Sequence, residues 1–319
     1  MDELLPKISN CFDFLCVHKG LLEDKYRLKS YQSAIRKVVK TEDIVIDIGT
    51  GTGILSFLAV KAGAKHVYAI EKSNISKLAK QIAIKNRLNH LITFIKGDSR
   101  KINIPKIKAD VLISELVGHY ALDENLLSII IDARKRFLKK QGKIIPCGIK
   151  LYISPVECTE IHRETNFWKK DILGLKYTPA LELVLNNIYT EIPHNFRYLA
   201  TPKMIHSINL YKIVTQKFTS TPQFSIHKQG IFHGFIGWFE LILASRIKLI
   251  TGPTIKDTHW ERVFFPISKS FKVKSGDKIN LNFSFDTDHD KIFITWRGNI
   301  YRRQTKVMKF SQSTRKIYL

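Results

Sequence analysis

The segment VIDIGTGTG, residues 45–53, decides the fold class. It joins an apolar run that contains Asp47 to a loop with Gly49, Gly51 and Gly53, and the helical pattern ILSFLAVKAG follows directly. Glycines at the end of a buried strand let the backbone approach a ligand closely, and the first amides of the next helix attract anionic groups. The segment therefore predicts a strand, a ligand-binding loop and a helix.

Strand and helix patterns alternate on both sides of this loop. Residues 21–39 have helical periodicity, the apolar runs HVYAIE, LITFIKGD and ADVLISE follow the loop, and further helical segments occupy 74–86 and 125–139. Continuous apolar strands that alternate with helices are typical of a parallel sheet with helices on both faces. The sequence predicts an α/β fold, with a Rossmann-like, doubly wound domain over residues 41–146 that binds its ligand at the carboxyl ends of the strands.

The pattern changes after Pro146, where short runs of alternating apolar and polar residues begin. The runs are KLYISPVE, SINLYKIV, GFIGWFELIL, KINLNFSF and KIFITW. Such alternation predicts an antiparallel β-barrel domain over residues 147–319. The amphipathic segment 171–193 interrupts these strands and predicts a helical insertion.

The composition predicts a folded protein with a strongly basic surface. A hydrophobic fraction of 44% excludes a disordered chain. The 52 lysines and arginines exceed the 28 aspartates and glutamates, which gives a net charge of +24. This charge is compatible with binding to nucleic acid or a ribonucleoprotein, and equally with a lysine-rich composition that serves no partner.

Targeting and redox features point to the cytoplasm. No run reaches the length of a membrane span, and the N-terminus lacks the basic and then apolar order of a signal peptide. The four cysteines form no CxxC pair, so we expect reduced thiols and no metal site. We expect a cytoplasmic protein, or also a nuclear one if its source is eukaryotic.

Polar residues follow the two strands after the glycine loop. Glu71 ends HVYAIE, about twenty residues after the loop, at the distance from which an acidic side chain reaches ribose hydroxyls. Asp98 and Ser99 follow LITFIK, where Asp98 is placed to accept from an adenine amino group. Together with the GxGxG loop, and with Asp47 to orient the loop or meet the amino group of the cofactor, they resemble the S-adenosylmethionine site of class I methyltransferases.

Two glutamates lie in the segment SELVGHYALDEN, residues 114–125. Glu115 directly follows a predicted strand, and Glu124 comes nine residues later in an otherwise apolar setting. Carboxylates are costly to remove from water unless a cation pairs with them, although two glutamates alone most often mark a solvated loop. A guanidinium is a planar cation with five donors and fits two facing carboxylates.

Three separated motifs resemble those of the protein arginine methyltransferase family, in the same order along the chain. They are the helical residues His18, Asp24, Arg27 and Tyr31, the Ser114-Glu115 pair with Glu124, and Thr258, His259 and Trp260. The resemblance spans nearly the whole chain. It implies that residues 1–40 form helices that cover the cofactor, that segment 171–193 is a dimerisation arm, and that the protein is a homodimer.

The resemblance also implies the catalytic roles. Glu115 and Glu124 would hold the arginine side chain of a protein substrate while it receives the methyl group of S-adenosylmethionine. His259, paired with Asp24 across the domain junction, would take up the proton that the nitrogen releases. We therefore expect a protein-arginine N-methyltransferase.

Binding roles follow in the same way. His18 and Arg27 would bind the cofactor, with Arg27 on its carboxylate, and Tyr31 and Trp260 would contact the substrate. Leu21 and Leu126 occupy positions that crowd the acceptor nitrogen in the family, and their medium size leaves mono- or dimethylation open.

The chain departs from the family pattern at Arg100, where a glutamate is expected near the adenine, and at Leu116, where many members have tryptophan. Two other functions stay open. An enzyme for free arginine or another small guanidine would have a closed pocket. A nucleic-acid-binding protein or RNA methyltransferase on the same scaffold would have a continuous basic surface and salt-sensitive RNA binding.

Overall fold

The computed structural model describes residues 11–104, 108–190, 195–252, 255, 258–288 and 290–317. The chain begins there with a 3-10 helix, Cys11–Asp13, and the helices α1 (Leu15–Glu23) and α2 (Lys25–Val38). The helical pattern of residues 21–39 is thus divided at Asp24, whose backbone is not helical. Its carboxylate accepts from the Arg27 amide at 2.8 Å and so caps α2, which explains the break.

The first domain is a five-stranded parallel sheet, and this confirms the α/β prediction. Its elements are β1 (Ile44–Ile48), α3 (Ile54–Lys61), β2 (His66–Glu71), α4 (Ser76–Lys85), β3 (Ile92–Lys96), β4 (Ala109–Ser114), α5 (Leu126–Arg136) and β5 (Leu138–Ile145). The strand order is β3-β2-β1-β4-β5, with every pairing parallel. The helix predicted over 125–139 is too long, because Leu138 already pairs with Ala109 as the first residue of β5.

Two antiparallel sheets form the second domain. Its elements are β6 (Gly148–Glu157), α6 (Thr159–Phe167), β7 (Asp171–Ile172), β8 (Leu175–Lys176), α7 (Ala180–Leu185), β9 (Arg197–Tyr198), β10 (Lys203–Asn209), β11 (Phe218–Ser220), β12 (Gln223–Ser225), β13 (Gly230–Ala244), β14 (Ile247–Ile250), β15 (Val263–Val273), β16 (Lys278–Asp288), β17 (Lys291–Arg302) and β18 (Thr305–Ser313). One sheet has the order β10-β6-β13-β14, with β15 on β13 and β9 on β6. The other has the order β11-β16-β17-β18, with β12 also on β16, and a 3-10 helix, Thr314–Ile317, ends the described chain.

The insertion predicted as a helix over 171–193 is mostly not helical. It begins with the two-stranded hairpin β7–β8, whose turn contains Leu173 and Gly174 at φ 51° and 79°. Only α7 is helical, and residues 191–194 lie outside the described part of the chain. A backbone with two consecutive positive φ angles forms a tight turn, which ends any helical periodicity.

The two domains pack on each other through α2. One hydrophobic cluster joins the parallel sheet, α2 and the strands β6 and β13. The Tyr26 hydroxyl accepts from the Ile250 amide at 3.1 Å, and the Lys37 ammonium donates to the Ser245 carbonyl at 2.7 Å. Because these contacts hold the two domains together, the carboxyl ends of the parallel strands face a fixed domain junction.

None of the helices in the described ranges is both long and apolar enough to cross a membrane.

Candidate active site

A cavity of about 320 Å³ lies at the carboxyl ends of the parallel strands, within the size range of small-molecule sites. Its wall comes from α1, α2, the ends of β1, β2 and β3 and the segment after β4, and the β domain contributes His259 and Asp290. Most of the residues predicted from the sequence line it: His18, Arg27, Gly49, Gly51, Glu71, Asp98, Ser99, Glu115, Glu124 and His259. The structure thus brings together residues that are up to 241 positions apart in the sequence, from His18 to His259.

Hydrogen bonds between side chains and backbone hold the glycine loop. Glu71 accepts from the Gly51 amide at 2.9 Å and from the Ser73 amide at 2.7 Å. Gly51 has φ 55°, and a Cβ there would lie 3.2 Å from the His18 ring. The loop therefore needs glycine both for its backbone angle and for the close approach of α1.

Asp47 and Gly53 stabilise the glycine loop but do not line the cavity. The Asp47 carboxylate accepts from the Thr50 hydroxyl at 2.7 Å and from the Ser56 hydroxyl at 2.6 Å. Burial raises the pKa of Asp47 to about 6, although these two hydrogen bonds oppose the shift. Gly53 is the N-cap of α3, and a Cβ there would lie 2.6 Å from the Phe57 ring. Of the two roles predicted for Asp47, the structure supports orientation of the loop.

Asp123 closes the loop between the two glutamates. Its carboxylate accepts from the amides of His119 at 3.0 Å and Tyr120 at 3.1 Å. Because the loop folds back through these bonds, Glu115 and Glu124 both reach the cavity.

The two glutamates are not equivalent. Glu115 forms an ion pair with Arg27, and only 7% and 4% of these side chains are exposed. Burial raises the pKa of Glu124 to about 8, and the charges of Glu115 and Asp123 add to this shift. Near neutral pH the cavity therefore contains one paired glutamate and one that is largely protonated.

Asp24, which does not line the cavity, holds the imidazole of His259 in position. The Asp24 carboxylate lies 2.9 Å from His259 Nδ1 and accepts from the His259 amide at 3.1 Å. Burial alone would raise the pKa of Asp24, but the hydrogen bonds from His259 and from the Arg27 amide lower it below its usual value. The contact predicted across the domain junction is present, although only His259 of the pair lines the cavity.

Tyr31, Trp260 and Leu126 do not line the cavity, so the substrate contacts predicted for Tyr31 and Trp260, and the crowding of the acceptor nitrogen predicted for Leu126, are not visible in it. Tyr31 and Leu126 are fully buried in the core, because α2 and α5 pack these apolar faces against the sheet. Trp260 is 1% exposed, and its indole nitrogen donates to the Val117 carbonyl. Trp260 therefore anchors the loop of Glu115 and does not form the wall of the channel.

No sequence pattern indicated a role for Asp290. This residue lies in the turn between β16 and β17 and accepts from both terminal nitrogens of Arg100. Arg100 also pairs with Asp98 at 2.7 Å and lowers the pKa of that carboxyl. Phe12, in the 3-10 helix Cys11–Asp13, lines the cavity as well, and its carbonyl lies 2.8 Å from the His18 ring nitrogen.

The cavity fits a cofactor with hydroxyl, amino and carboxylate groups. Ser99 Oγ and Arg27 Nε are buried polar atoms for which the described structure shows no hydrogen-bond partner. Such atoms are costly unless a ligand or water binds them. The glycine loop adds backbone at the start of α3, and Glu71 lies beside it. The site and the parallel sheet together define a class I methyltransferase, with S-adenosylmethionine as its methyl donor.

Comparisons with known proteins lead to the family. Residues 149–297 match the family model of the arginine methyltransferase oligomerization subdomain, and residues 30–153 match that of the ribosomal protein L11 methyltransferase. The chain is 30% identical to protein arginine N-methyltransferase 1 of Saccharomyces cerevisiae over 85% of its length and 80% of that protein. The protein of the same name from Schizosaccharomyces pombe is 30% identical over 82% of this chain and 79% of that protein.

Solved structures show the same fold. A chain of the Trypanosoma brucei PRMT1 enzyme-prozyme heterotetrameric complex with AdoHcy has a TM-score of 0.86 and 20% identity, covering 95% of this chain and 99% of that one. Arabidopsis thaliana protein arginine methyltransferase 10 has a TM-score of 0.81 and 24% identity, with the same coverage of 95% and 99%. This chain belongs to the protein arginine N-methyltransferase family.

The raised pKa of Glu124 predicts a pH-dependent cost to stability. Between the ordinary value of 4.5 and about 8, the folded protein keeps a proton that the unfolded chain releases, so stability falls as the pH rises. The substitution Glu124→Gln removes this cost. We expect it to stabilise the protein relative to wild type by roughly 1–3 kcal/mol at about pH 9 and by little at about pH 4.

Urea unfolding at both pH values measures this difference. The control is Glu23→Gln, since the Glu23 side chain is 64% exposed and does not line the cavity. A gap between Glu124→Gln and wild type that is the same at both pH values would contradict the prediction.

Proposed function

We propose that the cavity binds S-adenosylmethionine and an arginine side chain of a protein, and that the enzyme transfers the methyl group to a guanidinium nitrogen. The observation that carries this proposal is the position of Glu115 and Glu124. Both line the same cavity as the glycine loop and Glu71, so an acceptor cation and a nucleoside-bearing cofactor would occupy adjoining parts of one site.

The residues of the chain divide into those for the cofactor and those for the acceptor. Glu71 would hold ribose hydroxyls, Asp98 and Ser99 the adenine, and Arg27 the carboxylate. The bound cofactor supplies a methyl group on a positively charged sulfur. The helices α1 and α2 cover the proposed cofactor part of the cavity through His18 and Arg27, and so limit the access of water to it.

Acceptor binding would couple to the ionisation of Glu124. With its pKa at about 8, Glu124 is mostly neutral at pH 7, and a guanidinium beside it would favour the charged form. Two ionised carboxylates on one face of the guanidinium draw its positive charge toward the bound nitrogens. The remaining nitrogen becomes a better nucleophile, and His259, oriented by Asp24, is placed to accept its proton.

The comparisons favour a protein acceptor over the two alternatives. Free arginine would use the same glutamates, and an RNA acceptor would not need them. A methyl transfer assay with a mixture of proteins, RNA and free arginine separates the three. Label that appears only in RNA would overturn the proposed function.

Substitution of either glutamate tests the clamp. Glu115→Gln and Glu124→Gln should each lower kcat/KM for the protein acceptor by at least about 30-fold, because each removes one charge-assisted contact to a buried cation. For wild type, kcat/KM should rise with pH as Glu124 ionises and level off above about pH 8. This rise should be absent in Glu124→Gln.

Radiolabelled methyl transfer over a range of pH gives both results. Glu42→Gln is the control, since this side chain is 69% exposed on the surface. Undiminished transfer by either cavity variant would show that the pair does not hold the acceptor.

We also propose that the chain forms a homodimer through an arm that is larger than the predicted segment 171–193 at its start and includes α6, and we use the name for residues 159–185 from here on. The arm exposes five large apolar side chains to solvent: Phe167, Leu173, Leu175, Tyr177 and Leu183. An apolar groove on the outer side of α3 and α4 offers a matching surface, with Leu22, Phe57, Leu58, Ile82 and Leu88 in its lining. A contiguous exposed apolar surface is typical of an interaction site.

The groove adjoins the cofactor cavity. Leu22, Thr52 and Ile54 line both, so an arm seated in the groove would support the cavity wall from behind. This continuity favours a second copy of the chain as the occupant, and the match of residues 149–297 to an oligomerization subdomain agrees with it.

The double substitution Leu173→Glu with Leu175→Glu should convert the dimer to a monomer, because it places two charges in an apolar interface. Sedimentation velocity measures the mass, and S-adenosylhomocysteine binding should weaken in parallel. Val214→Glu is the control, since Val214 is 80% exposed and lies outside the arm. A dimer that persists in the double variant would exclude the arm as the interface.

A further inference from the structure

The turn between β16 and β17 reaches from the β domain to the cavity. Its residue Asp290 lines the cavity, although 64% of the side chain is exposed. The carboxylate accepts from the Arg100 guanidinium at 2.5 Å and 3.2 Å. The Asp290 carbonyl accepts from the Asn125 side-chain amide at 3.1 Å. One turn thus contacts two separate loops of the first domain.

Arg100 is fixed between two aspartates. Its guanidinium donates to Asp98 at 2.7 Å and 3.1 Å and to the Ser128 hydroxyl at 3.2 Å, in addition to Asp290. Hydrogen bonding from Arg100 also lowers the pKa of Asp290, which keeps the carboxylate charged at neutral pH. A guanidinium held by three side chains has a defined position, unlike a single surface ion pair.

The two loops that the turn contacts belong to the two halves of the site. Asp98 and Ser99, beside Arg100, line the part of the cavity next to Glu71. Asn125 directly follows Glu124 and begins α5. The Arg100 guanidinium thus pairs with a carboxylate of its own loop, Asp98, and with one from the β domain, Asp290.

We propose that Asp290 is a positioning residue, which joins the β domain to the cofactor loop through Arg100 and to the glutamate loop through Asn125. We call these three residues the clasp. The inference rests on the proposed function, because its effect is on binding at that site. Loss of the clasp would let the Asp98–Arg100 loop move away from the cofactor and would loosen Glu124.

Isothermal titration with S-adenosylhomocysteine tests the clasp in the full chain, without need for turnover. Asp290→Asn and Arg100→Gln should each raise Kd about fivefold, the effect of an ion pair worth about 1 kcal/mol. The double variant should bind no more weakly than Arg100→Gln alone, because without the guanidinium Asp290→Asn has no ion pair left to remove. Salt at about 1 M should reduce the difference from wild type.

Asp286→Asn is the matched control. Asp286 lies on β16 of the same hairpin and pairs with Lys217 and Arg315, but it does not line the cavity. Its Kd should equal that of wild type. In turnover, Asp290→Asn should raise KM for S-adenosylmethionine with kcat at saturation nearly unchanged, because the backbone carbonyl of residue 290 still accepts from Asn125 beside Glu124. General structural damage would not produce this division.

The outcomes separate the two proposals. If wild type fails to bind S-adenosylhomocysteine, both the proposed function and the inference about Asp290 are wrong. If wild type binds but Asp290→Asn and Arg100→Gln bind equally well, or if their effects multiply in the double variant, the clasp alone is wrong.

Discussion

The shortage of positive charge inside the cavity is the constraint on which the rest of the site depends. Five carboxylates line it against three permanently basic side chains, in a protein whose net charge is +24. The acidic residues are Glu71, Asp98, Glu115, Glu124 and Asp290, and the basic ones are Arg27, Lys72 and Arg100. Desolvated carboxylates attract a cation strongly, so the cavity favours a basic acceptor even though the surface as a whole repels one.

Helix α2 and its cap hold charged residues of both domains in place around the cavity. Its cap, Asp24, holds His259 of the β domain, and one turn later Arg27 pairs with Glu115 of the first domain. On the same face Tyr31 is fully buried beneath the strand that ends at Ser114. The three residues lie three and four positions apart, which places them on one face of the helix. A single helix therefore sets the relative positions of His259 and Glu115.

The sequence predicted those parts of the fold and the site that depend on local patterns, but not those that depend on contacts between distant residues. The parallel sheet was predictable because continuous apolar strands and glycine-ended loops are local patterns. The prediction of a helical insertion over 171–193 was wrong in detail, because the turn at Leu173 and Gly174 interrupts an apparently helical periodicity. Tyr31 and Trp260 were expected to contact substrate, but burial is decided by distant partners, here the core and the Val117 carbonyl. Asp290 could not be found, because only the tertiary fold brings it to Arg100.

The ion pair between Arg27 and Glu115 does not exclude an arginine acceptor. A carboxylate has about four lone-pair sites, so Glu115 can accept from Arg27 and from a second guanidinium together. Near neutral pH Glu124 is mostly protonated when no cation lies beside it, which avoids a second carboxylate charge next to Glu115. A lysine ammonium is a compact point charge and cannot bridge two carboxylates in one plane as a guanidinium does. The pairing of Glu115 with Arg27 and the protonation of Glu124 thus limit the charge in the cavity, and two carboxyl groups in one plane suit a guanidinium better than an ammonium.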